Sequence, residues 1–102
     1  MENIENKFEL IRNWAQARGI FQQGDVKTQC LKLQEEVGEL SRAILKKDQA
    51  EIIDAIGDCV VVLTNLSTLA GYDIEFCIDS AYNVIAKRKG LMKNGTFVKD
   101  EI

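Results

Sequence analysis

Val26, Cys30, Leu33, Val37, Leu40 and Ile44 follow one another at intervals of four, three, four, three and four residues. Only a helix brings such a series onto one side, and the alternation marks a helix packed lengthwise on another. Proline, which breaks helices, is absent from all 102 residues. Glycine and aspartate mark the breaks instead, and four helices are predicted. The first covers residues 4–18, with Ile4, Phe8, Ile11 and Ala15 at helical spacing and Gly19 as its stop. Residues 19–24 read as a loop. The second helix covers 25–47, with Asp25 as N-cap and Lys46 and Lys47 at the negative end of its dipole. The third covers 48–69, where Asp48 and Glu51 fit an acidic capping box. The fourth covers 73–89, capped by Asp73, with Ile74, Ile78, Ala81 and Ile85 inward and Gly90 as its end. Asn94-Gly95 between short apolar flanks is a hairpin signal. The expected fold is therefore all-α. It is a single domain over residues 1–102, a four-helix bundle-like arrangement of antiparallel helices with a short C-terminal turn or hairpin.

Composition narrows the function. Hydrophobic residues make up 46% and the formal net charge is 13 − 16 = −3, the balance of a soluble globular domain rather than a disordered one. So short a chain buries only roughly 60–65% of its unfolded surface, which favours an oligomer. The third helix points the same way. From Ile52 to Leu69 its apolar residues cover most of the circumference, so a partner subunit is expected on one side. Histidine is absent, which excludes Ser-His and Cys-His nucleophilic pairs and mixed His/Cys zinc sites within one chain. Cys30, Cys59 and Cys77 are widely spaced and form no CxxC; they read as small buried hydrophobes of a reducing compartment. The acidic start, MENIENKFEL, has no apolar signal region, and a cytoplasmic location is expected. The longest apolar run, Cys59 to Leu63, is far short of a membrane span. Mild acidity argues against a nucleic-acid surface.

The acids are placed unusually. At about 100° per residue, Glu36 and Glu39 lie roughly 60° apart and Glu35 roughly 40° beyond Glu39, so all three line one strip of the second helix. On the third helix Glu51, Asp54 and Asp58 fall within roughly 60° of each other. Like charges so spaced destabilise a bare helix. Two such helices joined by a short turn at Lys47-Asp48 can lie antiparallel with their strips facing. Burying unpaired carboxylates is costly, and the only bases nearby are Lys32, Arg42, Lys46 and Lys47. An all-oxygen, carboxylate-rich site suits Mg²⁺ or Mn²⁺. Gly38 and Gly57 stand just before Glu39 and Asp58, where they would let a backbone or ligand come close. Glu51 alone is equally a capping residue, and Glu35 alone a solvated one.

The run Glu36-Val-Gly-Glu39 within EEVGEL, followed by Glu51-Ile-Ile-Asp-Ala-Ile-Gly-Asp58 and an apolar stretch, resembles the MazG-like all-α nucleoside triphosphate pyrophosphohydrolases over roughly residues 10–98. Their pattern is ExxE, a gap, then ExxD on two antiparallel helices. The resemblance implies a helical homodimer or homotetramer that binds Mg²⁺, with Mn²⁺ as the alternative. It implies cleavage of nucleotides between the α and β phosphates to a monophosphate and pyrophosphate. Glu36 and Glu39 match ExxE. Asp58 best matches the closing aspartate, but the position three before it is Ala55. Either Asp54 or Glu51 then replaces the missing glutamate, and the number of ions stays open between one and three. Asn83, Lys87 and Arg88 resemble the family's phosphate-contacting cluster, though a basic last turn accounts for them equally. Lys32 lies one turn before Glu36 and can face the same pocket. Trp14 and Phe21 can stack a base, although aromatics so placed are more often core. Without histidine a glutamate must take the proton from the attacking water, and Glu35 is the candidate base. Two rival functions stand beside this one: removal of pyrophosphate from phosphoribosyl-ATP, and a non-catalytic helical dimerisation module.

Overall fold

The computed structural model describes residues 4–101, with side chains from residue 7 onward, so the side chain of Ile4 lies outside the described residues. In order the elements are α1 (Ile4–Ala17), α2 (Ile20–Gln23), α3 (Val26–Lys46), α4 (Gln49–Leu69), α5 (Ile74–Ile85), β1 (Gly90–Lys93) and β2 (Thr96–Lys99).

The frame is the antiparallel pair α3 and α4, each 21 residues long and so about 30 Å. Local chemistry fixes both ends of the pair. The Asp25 carboxylate accepts the amide N–H of Thr28 at 2.8 Å, which holds its pKa below the ordinary carboxylate value. Asp48 likewise accepts the amide of Glu51 at 3.1 Å. Between the helices Lys47 takes a left-handed conformation, φ 59°, and the Asp48 amide reaches back to the Ala43 carbonyl at 3.1 Å. This is a Schellman-type ending made without glycine, and it reverses the chain within two residues.

The face that α3 turns to α4 is not the expected apolar seam. Ala43 and Glu36 are buried and Gln29, Leu33 and Leu40 half-buried, whereas Val26, Cys30, Val37 and Ile44 are exposed. Gln29, Leu33, Glu36, Leu40 and Ala43 follow the same four-three rhythm one step round the helix. A carboxylate therefore sits in the seam.

α1 and α2 pack on α4. Phe8 and Ile11 are half-buried and Ala15 is buried, as the stripe on α1 requires. The expected loop at residues 19–24 contains the short helix α2: Gly19 (φ 79°) turns the chain and the Gly24 amide closes on the Ile20 carbonyl at 2.8 Å. On α4, Thr64, Ser67 and Thr68 donate their hydroxyls to carbonyls of their own helix, at 2.8, 2.9 and 3.2 Å. So satisfied, these small side chains can be buried.

α5 is shorter than expected. Asp73 makes no side-chain cap bond, and the helix ends at Ile85, four residues before Lys89. Lys87, Arg88 and Lys89 repel one another in a single turn, and Gly90 is claimed by the hairpin. A Cβ on Gly90 would overlap the Val98 carbonyl oxygen and crowd the Lys99 Cα, so the chain must be extended there. The hairpin forms as its signal implied: Asn94 (φ 50°) and Gly95 (φ 83°) make the two-residue turn between β1 and β2.

α5 packs on α4 and is tied to α1 by Arg12, whose guanidinium donates to both oxygens of Glu75 at 2.7 and 2.6 Å. That pairing holds the Glu75 pKa below its ordinary 4.5. A depressed carboxylate pKa stabilises the fold above the unfolded value, and the contribution is lost as pH falls through the folded one. Wild type should therefore lose this tie as pH drops below about 4.5. Glu75→Gln should lower the neutral-pH melting midpoint by a few degrees, corresponding to about 1 kcal/mol for a solvent-screened pair. The difference from wild type should vanish in acid; thermal melts from pH 3 to pH 7 check both.

Much apolar surface stays outside. Ile53 is 73% and Ile56 51% exposed on α4, and Val60 and Leu63 lie on the same side. On α5, Phe76, Ile78, Tyr82 and Ile85 are exposed, so the stripe expected to face inward is largely uncovered. Cys30 and Cys77 are exposed for the same reason and Cys59 is half-buried, all three as free thiols; the expectation that they are buried does not hold in the single chain. The radius of gyration is 16.0 Å, against about 13 Å for a compact domain of this length. α4 is also long and apolar enough to cross a membrane by length and composition. The five-residue run understates this, because Ile52, Ile53, Ile56, Leu66 and Leu69 extend it along the helix.

Candidate active site

Two hollows lie along the α3–α4 seam. One, of about 340 Å³, is lined by Thr28, Gln29, Lys32 and Glu36 from α3, Asp58, Val61, Val62 and Asn65 from α4, Trp14 from α1 and Ile20 from α2. The other, of about 290 Å³, lies nearer the Lys47-Asp48 turn and is lined by Glu39, Arg42, Lys46, Glu51, Asp54 and Ala55. Of the residues singled out from sequence, Lys32, Glu36, Asp58 and Trp14 thus meet in the first hollow. Glu39, Glu51 and Asp54 meet in the second.

Glu36 is the centre of the arrangement. Only 6% of it is exposed, because it lies in the helix seam. Its Oε1 is 3.4 Å from the Lys32 ammonium, and its Oε2 is buried with no hydrogen-bond partner. The bond to Glu36, reinforced by Glu35, raises the Lys32 pKa. An unpartnered buried carboxylate oxygen costs about 1–3 kcal/mol or more, so it calls for a cation. Asp58 adds to that demand. Burial first, then repulsion from Asp54 and Glu36, pushes its carboxyl above the ordinary value. Burial, then the charges of Glu36 and Asp58, also raises the Cys59 thiol, which disfavours a nucleophilic thiolate there.

The acids do not form a ready-made cage: among the described residues no three of them stand close enough to hold one ion. Carboxylates with no cation between them repel, and Glu39, Glu51 and Asp54 are free to splay into solvent. The donor set still suits a hard divalent cation, being all-oxygen and anionic with one orphaned oxygen in the seam.

Glu35 is exposed on the flank of α3 and lines neither hollow. Asn83 on α5 and Lys87 and Arg88 beyond its end are exposed and line neither. Trp14 carries Arg18 over its ring, 4.5 Å from the centroid, whereas Phe21 is half-buried and lines neither hollow. Gly57 meets nothing that a Cβ would touch, and Gly38 only the tip of Arg42, so no backbone within the chain needs either glycine. Sequence reasoning passed over Asn65 and named Arg42 and Lys46 only as bases near the acidic strips. Asn65 had a signal: it is a buried-type amide seven residues after Asp58, on the same side of an apolar helix.

Comparison with known proteins places the chain in a family. The chain is 34% identical over 67 residues to an uncharacterized 18.2 kDa protein from the rep-hol intergenic region of Haemophilus phage HP1. The match covers 66% of this chain, which spans 41% of that relative's length. No solved structure matches. The family model of the MazG nucleotide pyrophosphohydrolase domain matches residues 24–93, which include α3, α4, α5 and both hollows' carboxylates. The chain belongs to the MazG nucleotide pyrophosphohydrolase family.

Proposed function

We propose that the chain hydrolyses (deoxy)nucleoside triphosphates between the α and β phosphates, in a divalent-cation-dependent reaction, giving a nucleoside monophosphate and pyrophosphate. The observation that carries this reading is the buried Glu36 carboxylate, with one oxygen unpartnered, beside a destabilised Asp58 in a hollow that also holds Trp14.

Glu36, Glu39 and Asp58 would hold Mg²⁺, or Mn²⁺ in its place, with Asp54 or Glu51 completing the set. Such an ion, once bound, neutralises phosphate charge and acidifies water. The chain's own residues do the rest. Ile20, Val61 and Val62 form an apolar wall on one side of the hollow. Trp14 offers a ring to the base, and Lys32 a cation to the phosphates. Glu35, exposed beside the seam and outside both hollows, would take the proton of the attacking water only by swinging its side chain over the seam. Asn83, Lys87 and Arg88 can serve the phosphates only if an assembly brings α5 of one copy against the α3–α4 pair of another. We assign the active form to a homodimer or homotetramer on the uncovered apolar surface. The accessible area is 8022 Å², against about 5,800 Å² for a compact protein of 11.5 kDa.

A panel of nucleotides with Mg²⁺, reading pyrophosphate separately from orthophosphate, tests the reaction. Pyrophosphate in step with monophosphate is expected; orthophosphate alone, or no turnover with any nucleotide including phosphoribosyl-ATP, overturns it. The second reading, a non-catalytic helical module, draws on the absence of a formed three-acid cage among the described residues. It requires that calorimetry find no specific Mg²⁺ or Mn²⁺ binding.

A further inference from the structure

Asn65 is 3% exposed, yet its side-chain oxygen has no hydrogen-bond partner. Its neighbours on α4 solve the same difficulty differently, since Thr64, Ser67 and Thr68 turn their hydroxyls onto the helix itself. Asn65 instead lines the 340 Å³ hollow with Trp14, Val61 and Val62. A buried amide with an unpartnered oxygen, on a hollow that pairs an apolar wall with a small set of polar groups (Thr28 and Gln29 among them), is the arrangement of a specificity contact.

We propose that Asn65 reads the hydrogen-bonding edge of the nucleobase and sets which base is accepted; this rests on the nucleotide reading above. Spacing supports it. Asn65 stands seven residues after Asp58 on the same side of α4, about 10 Å along the axis. That is the order of the span from an α phosphate, held near the carboxylates, to the far edge of its base. Chemistry supports it too. A side-chain amide offers a donor and an acceptor side by side, the pairing a base edge presents, and Trp14 in the same hollow supplies the stacking surface. The triphosphate end needs cations; Asn65 shares the hollow with neutral side chains, Val61, Val62, Thr28 and Gln29. The ligand class recognised there is a neutral planar heterocycle with adjacent donor and acceptor.

The test uses the whole chain, wild type against Asn65→Leu and Asn65→Asp. One readout is kcat/KM for the four common deoxynucleotides with Mg²⁺. The other is quenching of Trp14, the single tryptophan, by nucleoside monophosphates, which needs no turnover. Wild type should show a preferred base. Asn65→Leu should weaken that base roughly 10- to 100-fold, mainly in KM, and leave the poorest base within about 3-fold, so the spread collapses. Asn65→Asp, an acceptor without donors, should reorder the bases. A uniform loss across all bases means a structural role and overturns the proposal. Should Asn65→Leu not fold, the order of bases with Asn65→Asp decides alone. If wild type quenches with no nucleotide and releases no pyrophosphate, the nucleotide reading itself falls. If it does both and the base order survives each variant, only the role of Asn65 falls.

Discussion

Glu36→Gln should cut pyrophosphate release by roughly 10³-fold, the order lost when a group that supports charge in the transition state is removed. It should leave the helices intact and the melting midpoint no lower than wild type. Both effects follow from one fact: a carboxylate that is 6% exposed, with an unpartnered oxygen, lies in the seam between two helices. The amide has nearly the same shape but no charge to desolvate. Asp58→Asn should behave alike, with a pH signature. The folded Asp58 pKa is raised above its ordinary 3.8 by burial, then by Asp54 and Glu36. A raised carboxylate pKa means that stability falls as pH rises through the interval between the unfolded and folded values. At neutral pH the cost is fully present, so Asp58→Asn should melt higher than wild type there. Below pH 3.8 the gain should disappear. Added Mg²⁺ should raise the wild-type midpoint and leave both variants unmoved. Wild-type turnover in either variant would remove the seam carboxylates from the chemistry.

Ile56→Glu should dissociate the proposed homodimer or homotetramer. Ile53, Ile56, Val60 and Leu63 lie within about 80° on α4 and are exposed in the single chain. Covering one such side chain contributes about 1.5–3 kcal/mol, and a glutamate among them adds a desolvation cost. Association should weaken by roughly 10²-fold or more. Light scattering on eluted protein is the measurement. Wild type should run as two or four chains and Ile56→Glu as one chain of 11.5 kDa. A wild type that stays single at micromolar concentration would show that this surface has another use.

What could be read from the sequence was what neighbouring residues decide among themselves. Asp25 and Asp48 cap their helices because the amide N–H groups that donate to them, those of Thr28 and Glu51, lie three residues away. Asn94-Gly95 turns because both residues tolerate positive φ. The register of α3 could not be read so. The apolar series at Val26, Cys30, Leu33, Val37, Leu40 and Ile44 and the true seam at Gln29, Leu33, Glu36, Leu40 and Ala43 share one rhythm. Only packing chooses between them, and it chose the one containing a carboxylate. The end of α5 was hidden for a different reason, since Gly90 is fixed by contacts to Val98 and Lys99 that form across the hairpin. EEVGEL pointed to the carboxylates. The hollow beside them depends on Trp14, Ile20 and Asn65 arriving from three separate helices.

The ammonium of Lys32, 3.4 Å from Glu36, already acts as a tethered placeholder. Under the proposed cation dependence, an incoming divalent ion would compete with a cation on a flexible stem as well as with water. Occupancy would then be an exchange of counter-ions, in which the local charge shifts by one unit instead of two. The displaced amine would stay at the rim, ready for an arriving anion. One lysine would thus offset the Glu36 charge in the resting pocket and then help recruit what the pocket receives.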